Sequence, residues 1–159
     1  MSDKKKVLFV CLGNSCRSPI AEGVFQKTVE KMGVRDEWEI DSAGIADWNV
    51  GCTPTTRATN TMKKHDIRYH NVGRQIKTED FNHYDYIFGM DDSNIKDLHE
   101  LAPPGSKARI LLLGDFDPDG ERIIRDPYFD GNDLGFEKCY QQAVRSIKGF
   151  LEQLANGSV

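Results

Sequence analysis

No stretch of this chain is apolar for anything near the ~20 residues that a membrane-spanning helix requires, and the N-terminus carries no apolar run of the secretory-signal kind. Excess positive charge is missing as well. Lysine and arginine number 21 against 25 aspartates and glutamates, a net charge of −4, so no basic face points to nucleic acid. The one basic run, Lys4-Lys5-Lys6, abuts the first apolar segment and reads as a solvated strand entry. Internal repeats, low-complexity tracts and linkers are absent too. What remains is a chain of 159 residues, enough for a single domain over 1–159 with a core that needs no staples. The expectation is a cytoplasmic protein with neither nucleic acid nor membrane as a partner.

Cysteine is sparse and irregular. Cys11, Cys16, Cys52 and Cys139 do not space like a secreted disulfide framework. Cys11 and Cys16 have the look of half a zinc site, but the other half is missing. Cys52 and Cys139 stand alone, and His65, His70, His83 and His99 form no close ligand pair. Neither a metal nor any other cofactor is expected.

The informative stretch is VCLGNSCRSP, Val10 to Pro19, where two thiols, an arginine and several small residues crowd one loop. It follows the apolar run KVLFV, a first strand over Lys6–Val10. Ser18-Pro19 then reads as a helix start, with Ser as the cap and Pro in the first turn. Ile20, Val24, Phe25, Thr28 and Met32 keep helical spacing up to Gly33, which stops the helix. A short strand at Trp38–Asp41, a loop from Ser42 to Thr53 with an exposed Trp48, and a helix over about Thr55–His65 follow. Further on come a strand at Tyr84–Met90, a helix at Asp92–Leu101 and a nearly continuous apolar strand at Ala108–Leu113. That last run suits a parallel strand covered on both faces. A long polar connection, Gly114 to Asp133, leads into a final helix at about Leu134–Leu154.

Strands and helices in alternation predict an α/β fold, a four-stranded parallel sheet with helices on both faces. In such open sheets ligands bind beyond the carboxyl ends of the strands. The quoted loop leaves the carboxyl end of the first strand. Its amides, ahead of a helix N-terminus, form an anion nest. Gly13 allows backbone angles that bulkier residues resist. Arg17 adds a planar fork that matches two phosphate oxygens. Cys11, at the far edge, lies where positive potential favours a thiolate. Cys-x5-Arg between a strand and a helix therefore reads as a nucleophile beneath a phosphate cradle, rather than as a buried thiol and a surface ion pair. The chain has no G-x-x-x-x-G-K-[ST] motif.

Phosphoryl transfer to Cys11 also needs an acid for the departing oxygen. Asp126 has the context: Asp126-Pro127-Tyr128-Phe129 lies in the long connection, with a stiffening proline and two aromatics that grip a flat ring.

The pieces VLFVCLGNSCRSPIAE, DSAG, DWNVG, RQIKTEDF, YDYIFGMD and DPYF resemble the low-molecular-weight protein tyrosine phosphatases along nearly the whole chain. The resemblance implies a flavodoxin-like fold and metal-free hydrolysis through a phosphocysteine. It implies Cys11 as nucleophile, Arg17 as phosphoryl clamp, and Asp126 as general acid and then base. The phosphate loop would be Leu12, Gly13, Asn14, Ser15, Cys16, Arg17 and Ser18, with Ser18 bonded to the Cys11 sulfur. Trp48, Asn49, Tyr128 and Phe129 would form the substrate rim, and Asn14, Ser42 and Asn71 a supporting network. The partners it implies are phosphotyrosine-containing proteins, small aryl phosphates, and phosphate or other oxyanions in the loop. Cys16 would trap an oxidised, exposed Cys11 as a reversible disulfide.

Three positions depart from the family's habit. Asn71 stands where many members have histidine, Phe129 replaces a second tyrosine, and Ser15 replaces the isoleucine common in tyrosine-specific members. Threonine takes that last place in the related protein-arginine phosphatases, which makes phosphoarginine the alternative substrate. An arsenate reductase on the same fold relays a disulfide through two neighbouring cysteines, whereas Cys52 and Cys139 lie far apart. An idle phosphate-binding module would not need nucleophile, clamp and acid together.

Overall fold

The computed structural model describes residues 3–159. Its elements run β1 (Lys5–Cys11), α1 (Arg17–Lys31), β2 (Trp38–Gly44), α2 (Thr56–Lys64), α3 (Asp80–His83), β3 (Tyr86–Gly89), α4 (Asp92–Leu101), β4 (Arg109–Leu112) and α5 (Leu134–Ala155). Short 3₁₀ turns occupy Leu113–Phe116 and Pro127–Phe129 within the long polar connection.

All strands are parallel, in the order β2-β1-β3-β4. This is the flavodoxin-like order without a fifth strand, and it reverses direction between β1 and β3. β1 and β3 are the two inner strands, and β1 is buried on both faces. Val7 and Phe9 face α1 and α5, Leu8 and Val10 face the opposite side, and all four are fully buried. Burying side chains of this size contributes about 1.5–3 kcal/mol each, enough to hold β1 at the centre.

The Ala108–Leu113 run has cover on both faces, Leu111 against the α1–α5 side and Ile110 against the opposite one, but only in part. β4 is an edge strand whose Ile110 and Leu111 are half-buried. Its one strand neighbour among the described residues is β3, which leaves its other edge unpaired. An apolar run reports burial of an element, but not its place in the sheet.

Phe9, Phe25, Phe88, Phe150 and Trp38 interlock on the α1–α5 side with ring centroids 4.8 to 6.4 Å apart. This cluster carries the base of α1 and so fixes the loop that precedes it. Gly33, at a φ of 75°, ends α1 as its sequence position suggests.

Candidate active site

The loop between β1 and α1 is curled by its carbonyls. Cys11 O accepts from Ile45 N (3.0 Å), Leu12 O from Ala46 N (2.9 Å), Ser15 O from Thr55 N (3.0 Å) and Cys16 O from Ile20 N (3.2 Å). Gly13 O accepts from Asn49 Nδ2 at 2.8 Å. Among the described residues, no backbone N–H from Leu12 to Cys16 finds a protein acceptor. Carbonyls engaged by neighbouring segments, with a run of donors left over ahead of a helix N-terminus, are the makings of an anion site.

The residue that bends this loop is Asn14, at a φ of 53°. Gly13, expected to supply the unusual backbone angle, has no positive φ. Its small size serves space instead: a Cβ there would lie 3.2 Å from Asn49 Nδ2 and 3.8 Å from the Trp48 ring. Asn14 tolerates the left-handed region because its side chain is held at both ends. Its Oδ1 accepts from Arg74 N (3.1 Å), and its Nδ2 donates to Ser18 Oγ (2.8 Å) and Ser42 Oγ (3.0 Å).

Ser18 is not the helix cap. The cap position is Cys16, without a side-chain hydrogen bond, and Ser18 lies inside the first turn of α1, fully buried. Its hydroxyl sits 3.0 Å from Cys11 Sγ. Since Ser18 Oγ already accepts from Asn14, its proton is free to donate to the sulfur. Cys11 itself is 3% exposed, at the floor of the cradle, which corrects the expectation of an exposed thiol.

Arg17 is buried to the same degree and is aimed by two acceptors. Its Nη1 donates to Asp91 Oδ2 at 2.6 Å and to Ile124 O at 2.9 Å. Burial pulls the Arg17 pKa down, but Cys11, Asp91 and Asp126 together outweigh it, so the pKa is raised and the guanidinium stays charged. Asp126 Oδ2 stands 3.9 Å from Arg17 Nη2, while Asp126 Oδ1 caps its own turn by accepting from Tyr128 N at 3.0 Å. The turn residues Pro127, Tyr128 and Phe129 follow as a 3₁₀ helix. Tyr128 (55%), Phe129 (83%) and Trp48 (69%), the expected rim aromatics, are exposed. Asn49, expected at the rim, is tied to the loop through its bond to Gly13.

Behind the loop lies a group that the sequence did not single out. Glu22, on α1, is 2% exposed, and its Oε1 accepts from Ser42 Oγ and Tyr69 OH, each at 2.6 Å. Asn71 Nδ2 reaches Glu22 Oε2 at 3.1 Å and Asp41 Oδ1 at 2.7 Å. Burial pushes the Glu22 carboxyl above its ordinary range, against the hydrogen bonds from Ser42 and Tyr69. Asn71 thus joins the network through Glu22 rather than by touching Asn14 or Ser18. The signal available in the sequence was a carboxylate in the apolar helix stretch IAEGVF. Asp91 was equally hidden: it reads as the cap of α4, which it is through Asn94 N (2.8 Å), while its second oxygen serves Arg17.

Cys16 is buried beside Thr55 Oγ1 (3.5 Å) and Ser15 Oγ (3.7 Å), and burial raises its pKa. Cys139, on α5, is buried in the same cluster as Cys11 and Cys16, whereas Cys52 is exposed.

A parallel α/β sheet whose switch-point loop is an anion cradle, floored by a cysteine and walled by a buried arginine, defines a phosphate-handling class of protein. Comparison with known proteins narrows it. The profile of the family described as low molecular weight phosphotyrosine protein phosphatase matches residues 6–158. The chain belongs to this family. It is 50% identical over 152 residues to the low molecular weight phosphotyrosine protein phosphatase of Sus scrofa, covering 94% of this chain and 96% of that one. A protein tyrosine phosphatase from Entamoeba histolytica, solved with Hepes in the active site, superposes with a TM-score of 0.93 at 30% identity over 98% of this chain and 100% of that one. The Drosophila arginine phosphatase superposes with a TM-score of 0.89 at 40% identity, covering 94% and 97%.

Proposed function

We propose that this protein hydrolyses phosphotyrosine in proteins, and small aryl phosphates, through a phosphocysteine on Cys11. The observation that carries the reading is the convergence of Cys11 Sγ, the inward amides and the Arg17 guanidinium on one cradle, with Asp126 at its edge. Phosphate oxygens bind the amides and Arg17, which leaves phosphorus above Cys11 Sγ. The S–P bond forms as the P–O bond to the phenol breaks, and Asp126 gives its proton to the departing oxygen. Water then attacks phosphorus, its proton passes to Asp126, and the S–P bond breaks. The Ser18 hydroxyl bond to the sulfur steadies the thiolate that leaves in this second step. A cysteine nucleophile needs a reducing compartment, which suits the cytoplasm.

The rim favours a flat ring. Trp48, Tyr128 and Phe129 offer aromatic walls, and the 50% identity to a phosphotyrosine phosphatase supports the same substrate. Ser15 supports a second reading, phosphoarginine, since it departs from the isoleucine habit and the chain is 40% identical to an arginine phosphatase. The test compares kcat/KM on matched phosphotyrosine and phosphoarginine peptides in the presence of chelator, for the wild type and Ser15→Ile. Turnover with preference for phosphotyrosine is expected. A phosphoarginine preference that Ser15→Ile reverses would transfer the assignment to the second reading.

A further inference from the structure

The proposed chemistry needs the segment that carries Asp126 to stay over the phosphate loop, and Asp126 itself gives little grip. Its nearest cation is 3.9 Å away, and one of its oxygens is engaged within its own turn. Upstream the segment is well held. Ile123 O accepts from Gln142 Nε2 (3.0 Å), Ile124 O from Arg17 (2.9 Å), and Ile124 N donates to Met90 O (3.0 Å). Downstream, between Asp130 and Asp133, one side chain gathers the chain. Arg57 Nη1 donates to Asp130 O at 2.8 Å, Nη2 donates to Asn132 O, and Nε donates to Asp133 Oδ1 at 3.0 Å. The same guanidinium lies 4.6 Å from the centre of the Phe136 ring.

Arg57 belongs to the first turn of α2, and that turn is fastened to the phosphate loop. Thr55, the α2 cap, donates its N–H to Ser15 O at 3.0 Å, and its hydroxyl lies 3.5 Å from Cys16 Sγ. The span Thr55–Arg57 therefore connects the cradle to the far end of the acid segment. The exposed ion pair with Asp133 adds little by itself, because solvent screens it. The two backbone carbonyls matter more. A planar fork that bonds carbonyls of residues 130 and 132 fixes the path of the chain, which a point charge would not.

We propose that Arg57 is a positioning residue for the general acid: by gripping Asp130, Asn132 and Asp133, it holds the downstream end of the Asp126 segment in register with the phosphate loop. This rests on the reading of Asp126 as the acid. A misplacement of about 1 Å in such a group costs as much as ~10²-fold in rate, and the loss falls on substrates that need the proton.

The experiment measures kcat/KM over aryl phosphates whose phenols range from acidic to weakly acidic, for wild type, Asp126→Ala, Arg57→Ala, Arg57→Gln, Arg57→Lys and Arg57→Ala/Asp126→Ala. Arg57→Ala is expected to lose roughly 10-fold or more with the least acidic phenols and under about 3-fold with the most acidic, a milder copy of Asp126→Ala. Inhibition by inorganic phosphate should stay within about 2-fold of wild type, Arg57→Lys should recover part of the loss, and the double variant should be no worse than Asp126→Ala. Arg57→Gln, which keeps the aliphatic stem and a donor, carries the same test if Arg57→Ala does not fold. A steep leaving-group dependence in Asp126→Ala, with equal losses across the series in the Arg57 variants, overturns the positioning role and leaves the acid reading intact. Equal losses across the series in Asp126→Ala itself overturn the acid reading, and the Arg57 role with it.

Discussion

Asp91 holds Arg17 from behind: its Oδ2 accepts from Arg17 Nη1 at 2.6 Å while its Oδ1 caps α4 through Asn94 N at 2.8 Å. One carboxylate thus aims Arg17, the proposed phosphate clamp, and starts a helix. The two duties separate on substitution. Asp91→Asn keeps a good cap but gives up the charge that fixes the guanidinium.

For Asp91→Asn, kcat on an aryl phosphate should fall about 10-fold or more through misorientation of Arg17. Inhibition by inorganic phosphate should hold or strengthen, because a negative charge has left the cradle's edge. Asp91→Ala should add a cap loss of ~1 kcal/mol, read in the thermal midpoint. Parallel losses of turnover and phosphate affinity in Asp91→Asn would make the residue a structural support alone.

Glu22 should make stability depend on pH in a definite direction. Burial raises its folded pKa above the ordinary 4.5, so the folded state holds a proton that the unfolded chain releases. That contribution is fully present below pH 4.5 and is lost as pH rises through the folded value. Glu22→Gln carries no such proton. The midpoint of Glu22→Gln relative to wild type should rise with pH across that window and stay level below it. A constant offset at every pH would show that the carboxyl titrates alike in the folded and the unfolded chain.

Much of this was legible from the chain, for identifiable reasons. α4 falls on Asp92–Leu101 as expected, since a capping aspartate and a Pro-Pro-Gly break bound it. The loop between β1 and α1 was legible as an anion site because the residues that build it are contiguous in sequence. Residues that act from a distance were not: Glu22, Asp91 and Arg57 are ordinary charged residues until the fold brings them to Ser42, Arg17 and Asn132. Ser18 misled because Ser before Pro is a cap signal. The helix starts two residues earlier, and the buried hydroxyl turns to Cys11 instead.

Cys16 offers a redox prediction. Peroxide should convert Cys11 to a sulfenic acid, the Cys16 sulfur should attack it, and water should leave as the disulfide forms. Cys16 is held as a thiol by its burial, so this step should quicken as pH rises. After peroxide and then dithiothreitol, wild type should recover most of its activity, more so at higher pH, and Cys16→Ala much less. Equal recovery at every pH would remove Cys16 from the chemistry.

The central claim is that phosphorus passes through Cys11, and a rapid acid quench tests it most directly. Wild type and Cys11→Ser are mixed with an aryl phosphate, quenched within the first turnover, and the peptide containing residue 11 is weighed by mass spectrometry. The account predicts one added phosphoryl group on Cys11 in the wild type. In Cys11→Ser it predicts no turnover, with inorganic phosphate still bound by the amides and Arg17. Turnover by Cys11→Ser at near wild-type rate, or a first turnover in the wild type that leaves Cys11 unmodified, would contradict it.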